Sequence, residues 1–379
     1  AMRLVPIGAI LLVACAAGTS PALGQLFSSG GRDASPLKPL TTPAHLQPVA
    51  FSGDNEEVVT AEGMFGDIVF DDPAEQCLPK IAHRSGIWGE LLYLRAREAE
   101  VTYGMPVDGS LGGPPFSTTP IGSLGVVDPD YSAGFRIGGS YAWSRESSVV
   151  AEFSRFSSSS SDSLVPSAPI VVRNLVAHPA TPPAGFIYTS ATAQLDIDFS
   201  LIDLGYRATW TSGENWAVNW LAGLRYGRLS QDFTASFVGL SSSNSVTTNI
   251  DFDGLGPRLG LDAQRHAGDS GFFLYGNGYT TLLAGEARAR YLQNADVAPN
   301  VVDTRWQAGR VVTMLDLELG AGWQSTSGRM KVSAGYVFSS WLNVVPTNRW
   351  LDGVQSNLYR DFSDTLTFDG FTARAEFRF

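Results

Sequence analysis

The chain has 379 residues, of which 17% are charged and 44% hydrophobic, and its formal net charge is −11. The acidic balance argues against nucleic acid as a partner, and no apolar run reaches the roughly 18–20 residues of a membrane-spanning helix. Forty glycines and 21 prolines favour turns and strands over long helices. The hydrophobic and charged fractions fit a soluble pair of domains or a β-barrel equally well, since a barrel hides its apolar face in alternation.

The N-terminus predicts an export signal at residues 1–24. Arg3 precedes an apolar core from Leu4 to Ala14. The small residues of the Ala22-Leu23-Gly24 stretch then indicate cleavage before residue 25. Residues 12–15 also resemble a lipoprotein box, in which Cys15 would be acylated, and this alternative stays open.

Cysteine use and composition describe the next part of the chain. After cleavage at Gly24, Cys77 is the only cysteine left, so no intramolecular disulfide can form. The sequence lacks Cys/His clusters with metal-ligand spacing, so neither a metal nor a cofactor is expected. Residues 25–85, rich in Ser, Pro, Gly and acidic side chains, are predicted to be a periplasmic arm or linker. Whether this arm contacts peptidoglycan or another envelope partner stays open. The Ser157–Ser161 run is predicted to be a loop tip.

From Gly86 onward the sequence alternates with period 2, which places neighbouring side chains on opposite faces of a strand. Ten strands are predicted, at 87–97, 133–143, 148–156, 193–210, 216–230, 250–266, 271–286, 310–323, 330–341 and 366–379. Five long connections alternate with four short ones, as in an up-and-down antiparallel transmembrane β-barrel with long extracellular loops and short periplasmic turns. The fold class is therefore all-β. The segments 170–172 and 186–188 would raise the count to 12, or lengthen the wall by pairing near 232–237.

One face of these strands is apolar, and the composition of the other face indicates which side is the inside. Charges of both signs, mixed with Gly and Ser, suit a crowded interior in which a charge needs a partner. The candidate lumen-lining residues are Arg136, Glu152, Asp203, Arg207, Arg225, Arg258, Asp262, Asp316, Glu318, Lys331, Arg374 and Glu376. For any single residue of this set, a solvated outer face is the alternative.

Aromatic residues at strand ends beside the short turns predict an interface girdle. Trp and Tyr favour the membrane–water boundary because their rings are apolar and carry one polar atom. The predicted girdle consists of Trp88, Trp143, Trp210, Trp216, Trp323 and Phe379. Buried core tryptophans of a soluble β-protein are the alternative.

Four short motifs resemble a known family. The segments Gly86–Arg97, Gly134–Tyr141, Phe252–Leu261 and Leu274–Gly278 resemble planctomycete-type outer-membrane β-barrel proteins, which are similar to the Legionella major-outer-membrane-protein barrels. The resemblance covers 86–379 and implies a pore-forming or structural role with no catalytic set. Phe379 resembles the terminal aromatic residue by which the barrel-assembly machinery recognises its clients.

The sequence thus predicts an exported barrel in the outer membrane of a diderm bacterium, in contact with outer-membrane lipid and compatible with a homo-oligomer. The first functional hypothesis is a porin-like or structural envelope protein, because ten strands with charged inner faces predict a plugged or narrow lumen. The second is a binding or adhesion module that acts through the long loops. The third, an omptin-like enzyme, has only His178 in a long outer loop, with Asp162 as the nearest upstream carboxylate, and is disfavoured.

Overall fold

The computed structural model describes residues 81–108, 119–179, 187–240, 242–296, 298–360 and 362–379. The predicted signal peptide, both cysteines and the arm up to residue 80 lie outside these described residues. Within them, no helix combines the length and the hydrophobicity needed to span a membrane.

The described chain is almost entirely β-strand. In chain order its elements are β1 (Gly86–Arg97), β2 (Val101–Val107), β3 (Gly125–Val127), β4 (Ser132–Ser144), β5 (Ser147–Leu164), β6 (Val171–Asn174), β7 (Ile187–Tyr188), β8 (Ser190–Ser212), β9 (Trp216–Val238), β10 (Ser243–His266), β11 (Phe272–Ala295), β12 (Ala298–Gln324), β13 (Met330–Val344), α1 (Thr347–Ser356) and β14 (Asp364–Arg378).

Ten of these strands form one closed barrel. Strands β1, β4, β5 and β8 to β14 follow each other around the ring in chain order, and β14 pairs with β1 to close it. In the closing pair, Gly86 lies opposite Arg378 and Arg97 lies opposite Thr367. The predicted ten-stranded, up-and-down antiparallel barrel is therefore confirmed, and the twelve-strand alternative is wrong.

The outward face of β9 changes chemistry partway along the strand. From Trp216 to Tyr226 the outward positions are apolar or aromatic, and from Arg228 to Ser236 they are polar. Strand β12 changes in the same way. Its outward face is an apolar stretch between Trp323 and Val311 and is polar further from the short turns. A tilted strand of about 11 residues spans the roughly 25 Å apolar band of an outer-membrane barrel. The polar part of these strands therefore extends beyond the lipid on the side of the long connections.

Several predicted outer loops are in fact strand. The Ser157–Ser161 run, predicted to be a loop tip, lies within β5 and pairs residue by residue with β8. Likewise, β9 and β10 continue to Val238 and Ser243, and just beyond β9 the Gly239 N–H donates to the Ser242 carbonyl. Where the outward face of a strand meets water, the alternation of apolar and polar residues weakens. The sequence then no longer shows that the segment is a strand, and for this reason the prediction was wrong.

A separate cap, consisting of β2, β3, β6, β7 and α1, lies at the end of the barrel opposite the short turns. Its four strands form their own sheet in the order β3-β2-β6-β7. The described residues of the segments 170–172 and 186–188 therefore do not pair near 232–237 as predicted. Residues 171–174 pair with β2 and β7 instead, and the wall near 232–237 pairs with β8 and β10.

The cap and the outer half of the barrel share one hydrophobic core. Tyr103 of the cap sheet is fully buried, with its ring centre 6.4 Å from that of Phe237 of β9, and Tyr188 lies 5.3 Å from the same ring. Trp350 of α1 packs against Trp306 of β12, with ring centroids 6.4 Å apart. The outer mouth is thus filled by packed apolar side chains.

Candidate functional site

The structure places all twelve candidate lumen residues around one cavity of about 150 Å³ inside the barrel. Arg378 lines the same cavity, and Glu90 contacts one of its lining residues. Sequence reasoning missed both. Both faces of β1 are apolar around Glu90, so alternation does not separate inside from outside on that strand.

The acidic cluster, defined as Glu90, Glu152 and Glu318, surrounds a single guanidinium group. Arg136 lies 2.9 Å from Glu90, 3.3 Å from Glu152 and 3.5 Å from Glu318. Tyr275 donates a hydrogen bond of 2.8 Å to Glu318. Because β12 and β4 are four strands apart in the ring, the Arg136–Glu318 contact crosses the lumen.

A second set of ion pairs is internally balanced. Arg225 binds Asp203 through two nitrogens, at 2.6 and 2.9 Å, and contacts Asp316 at 2.5 Å. Arg258 adds a contact of 2.8 Å to Asp203. Such bidentate, buried pairs are geometrically specific, and each charge left without its partner is destabilising. Arg207 and Asp262 form a further pair close by.

The basic cluster is defined as Lys331, Arg374 and Arg378, and its two arginines share one carboxylate. Arg374 lies 3.2 Å and Arg378 2.6 Å from Glu376. Lys331 instead donates to Gln264, at 2.5 Å, and its ammonium group sits 4.3 Å from the centre of the Phe273 ring.

Trp88 belongs to this interior and not to the interface girdle. It is only 7% exposed, and the Arg374 guanidinium lies 4.3 Å from the centre of its ring. The prediction that Trp88 faces the membrane interface was wrong, because on β1 the outward phase is that of Ile87, Leu91 and Tyr93. A Trp in the inward phase stacks readily on an arginine.

The other predicted girdle residues face outward beside the short turns. Trp143 and Trp210 are 77% and 68% exposed, Trp216 and Trp323 about 40%, and Phe379 68%. They occupy the positions where an aromatic belt meets the periplasmic side of a bilayer.

An aromatic septum, defined as Phe156, Phe199, Trp341 and Phe368, closes the outer side of the cavity. Phe199 lies 5.9 Å from Trp341 and 4.9 Å from Phe368, and Phe156 lies 5.7 Å from Phe368. Since β8 and β13 stand five strands apart in a ring of ten, these rings join opposite walls. The septum was not predicted. The signal that could have shown it is the presence of aromatic residues at the inward positions of β5, β8 and β14, which otherwise carry charged side chains.

The segment Ile81–Ser85 lies across the periplasmic mouth. His83 is within 2.8 Å of Ser148 Oγ, 3.3 Å of Asn219 Oδ1 and 3.2 Å of Thr209 Oγ1. Burial, helped by the nearby Arg207 guanidinium, lowers the pKa of His83 to about 4. Together with the septum, this segment limits the lumen at both ends.

The residues considered for catalysis have other partners. The Nε2 atom of His178 lies 3.0 Å from the side-chain oxygen of Asn357, and Asp162 accepts a hydrogen bond of 2.9 Å from Tyr103. In the part of the chain that the structure describes, no group of three or more His, Cys, Asp or Glu side chains is arranged to hold a metal ion.

A closed ring of ten strands, with an apolar outward band and paired charges inside, defines a transmembrane β-barrel of the outer membrane. A family model described as the Legionella pneumophila major outer membrane protein precursor matches residues 78–379. The chain belongs to this family and is an outer-membrane protein.

Solved structures with a similar fold include other outer-membrane proteins. The outer membrane protease OmpT from Escherichia coli is 14% identical, with 79% of this chain and 97% of that chain covered and a TM-score of 0.45. A Pseudomonas aeruginosa FadL homologue is 8% identical, with 82% and 93% covered and a TM-score of 0.24. LpxR from Salmonella typhimurium is 10% identical, with 78% and 100% covered and a TM-score of 0.23. Identities and TM-scores this low carry no information on activity. A comparison with curated proteins gave no match.

Proposed function

We propose that this protein is a porin-like envelope barrel whose narrow charged lumen passes ions or small solutes when the rings of the septum move aside. The observation that carries the proposal is a polar cavity at membrane depth, lined by ion pairs and bounded on its outer side by aromatic rings. Eight strands give an interior that side chains just fill, whereas 16 to 18 leave an open aqueous channel. A barrel of ten strands is therefore expected to conduct weakly and only through rearrangement of its contents.

Single-channel recording in a planar bilayer tests this function. The folded wild type is expected to give rare, small current steps. The double variant Phe199→Ala and Phe368→Ala should give more frequent and larger steps, because it removes two rings that bridge the lumen. The matched control is Phe371→Ala on β14, whose ring is 61% exposed on the outward face.

Absence of current steps from both the folded wild type and the septum variant would overturn the pore hypothesis. Equal conductance of the septum variant and Phe371→Ala would show that the rings do not set the passage. A difference in migration between boiled and unboiled samples confirms that each variant is folded before it is recorded.

A second candidate is surface binding through the outer end of the barrel. Val165 and Leu240, at the outer ends of β5 and β9, are 71% and 97% exposed, and Leu358 after α1 is 47% exposed. A deletion of 157–192 would remove parts of β5 and β8, so point changes are the better test. Val165→Asp with Leu240→Asp should abolish adhesion of cells that display the protein and leave the conductance unchanged.

We also propose that the chain is not an enzyme and that it belongs to the planctomycete-type branch of such barrels. The partners of the two residues considered for catalysis support the first proposal: His178 contacts Asn357, and Asp162 accepts a hydrogen bond from Tyr103. The motifs of β1, β4, β10 and β11 support the second. Hydrolysis of a peptide or lipid substrate by folded protein, lost in His178→Ala, would contradict the first.

A further inference from the structure

Two clusters of opposite charge line the same cavity. The acidic cluster has three carboxylates around one guanidinium group. The basic cluster has two guanidinium groups paired with the Glu376 carboxylate, and Lys331 lies opposite Glu376 on the neighbouring strand. The two clusters adjoin, because Glu90 of the acidic cluster lies directly opposite Arg374 of the basic cluster in the β1–β14 pair. A solute at this junction meets carboxylates and cations side by side.

The interior as a whole carries no net charge. The charged residues that line the cavity, together with Glu90, comprise seven basic and seven acidic side chains. A bound ion of either sign would leave this balance uncompensated inside the barrel, away from bulk water, where an unpaired charge is costly. The electrostatics favour a solute that is neutral overall and carries separated charges.

Buried polar atoms at the cavity point to a ligand as well. Among the described residues, no hydrogen-bond partner is found for Trp88 Nε1, Arg258 Nε or Arg374 Nε, and all three residues line the cavity. Trp88 is 7% and Arg258 8% exposed. On the acidic side, Glu90 Oε2 is buried and also has no partner there. Buried donors and acceptors of this kind normally have partners. Donors are thus left over at Trp88 and Arg374, and at Arg258 beside Asp203, and an acceptor is left over at Glu90, next to the lining.

We propose that the cavity binds a small zwitterion of amino-acid size. Its carboxylate would lie against the basic cluster and the Trp88 indole N–H, and its ammonium group against the acidic cluster. A volume of about 150 Å³ suits a molecule of that size. The inference rests on the proposed function, since it names the solute class that the narrow lumen selects.

Calorimetric titration of the folded full-length barrel in detergent tests the proposal directly. The probes are glycine, β-alanine and 4-aminobutanoate, which differ in the separation of their charges, with acetate and methylammonium as single-charge controls. At least one zwitterion should bind about tenfold or more tightly than either control, since each charged end gains its own charge-assisted hydrogen bonds.

Single substitutions separate the two ends of the ligand. Arg374→Gln should weaken binding of the zwitterion and of acetate, whereas Glu152→Gln should weaken binding of the zwitterion and of methylammonium. The matched controls are Arg228→Gln and Glu286→Gln. These residues lie on the outward face, with side chains 57% and 35% exposed, and their substitution should leave binding unchanged.

Three results would overturn the zwitterion site. Acetate that binds as tightly as the best zwitterion indicates a simple anion site, and methylammonium that does so indicates a cation site. Heat changes absent for every probe indicate that the cavity holds only water. The comparison of probes uses the wild type, so it holds even if a variant fails to fold.

The outcome is distinguishable from failure of the pore hypothesis. Zwitterion binding without current steps in the bilayer would keep the site and overturn conduction. Current steps without zwitterion binding would keep conduction and overturn the site.

Discussion

At the scale of single residues, Trp88 shows how one wall position shapes the lumen. Its six-membered ring lies next to Gly138 of the neighbouring strand β4, where a methyl group would come within 2.5 Å of Trp88 Cζ2 and 2.8 Å of the Ala151 carbonyl oxygen. The glycine therefore provides the space in which the indole lies against the wall and stacks on Arg374.

We predict that Gly138→Ala destabilises the barrel by about 1–3 kcal/mol, because the added methyl overpacks a closed interior. The adjacent Gly139→Ala, on the outward face, should change stability by no more than about 0.5 kcal/mol, since the nearest atom to its added methyl is 3.4 Å away. Urea unfolding in lipid vesicles measures both. Equal effects of the two substitutions would contradict this account of Trp88.

At the scale of elements, the membrane-level strands were predictable and their outer continuations were not. On β12, Leu315, Leu317 and Leu319 alternate with Asp316 and Glu318 because lipid and lumen demand opposite side chains. Beyond the lipid, both faces of a strand tolerate polar residues, so the Ser157–Ser161 run carries no period. The cap depends on contacts between residues far apart in sequence, which alternation does not encode.

The segment 81–85 is predicted to respond to pH through His83. The ordinary pKa of 6.5 is lowered to about 4 when the segment is docked, so docking favours the neutral ring. Docking is therefore fully retained above pH 6.5, weakens as the pH falls from 6.5 towards 4, and loses no more below that. Hydrogen exchange of the His83 amide, which donates to the Arg145 carbonyl at 3.0 Å, should accelerate over that range after correction for intrinsic rates.

His83→Gln is the matched control for this pH response. Its amide side chain can keep hydrogen bonds to Ser148 and Asn219 but does not titrate. Exchange at this position should then be independent of pH between 6.5 and 4. A pH response in His83→Gln as large as that of the wild type would assign the effect to another group.

At the scale of the whole molecule, the outward surface of the barrel faces lipid along one part of the strands and water along the other. Leu317 lies midway along the apolar stretch of β12, and Thr234 of β9 faces outward beyond Tyr226, where the surface is polar. We predict that Leu317→Arg destabilises the barrel by about 2–4 kcal/mol, as expected for a cation facing lipid near the bilayer midplane. Thr234→Arg should have almost no effect. Urea unfolding in vesicles checks this, and a large loss from Thr234→Arg would place the lipid boundary further out.

Much of the site could be predicted from the phase of the alternating strands. The septum and the segment Ile81–Ser85, which close the lumen, could not. Arg225 and Arg374 fall in the inward phase of clear alternating strands, and the structure places both at the cavity. The pairing of the charges depends on strand tilt and on the distance across the lumen, as in the contact between Arg136 and Glu318. Neither quantity can be inferred from the spacing of residues along one strand.

The ion pairs across the lumen also bear on how the barrel assembles. Glu90 and Glu152, which pair with Arg136, lie on the two strands next to its own. Its third partner, Glu318, lies on β12, which is late in the chain. A partly inserted sheet would hold unmatched charges next to hydrocarbon, and those charges are neutralised when the ring closes. Insertion should therefore be cooperative, with half-built barrels strongly disfavoured and dependent on shielding until the first and last strands meet.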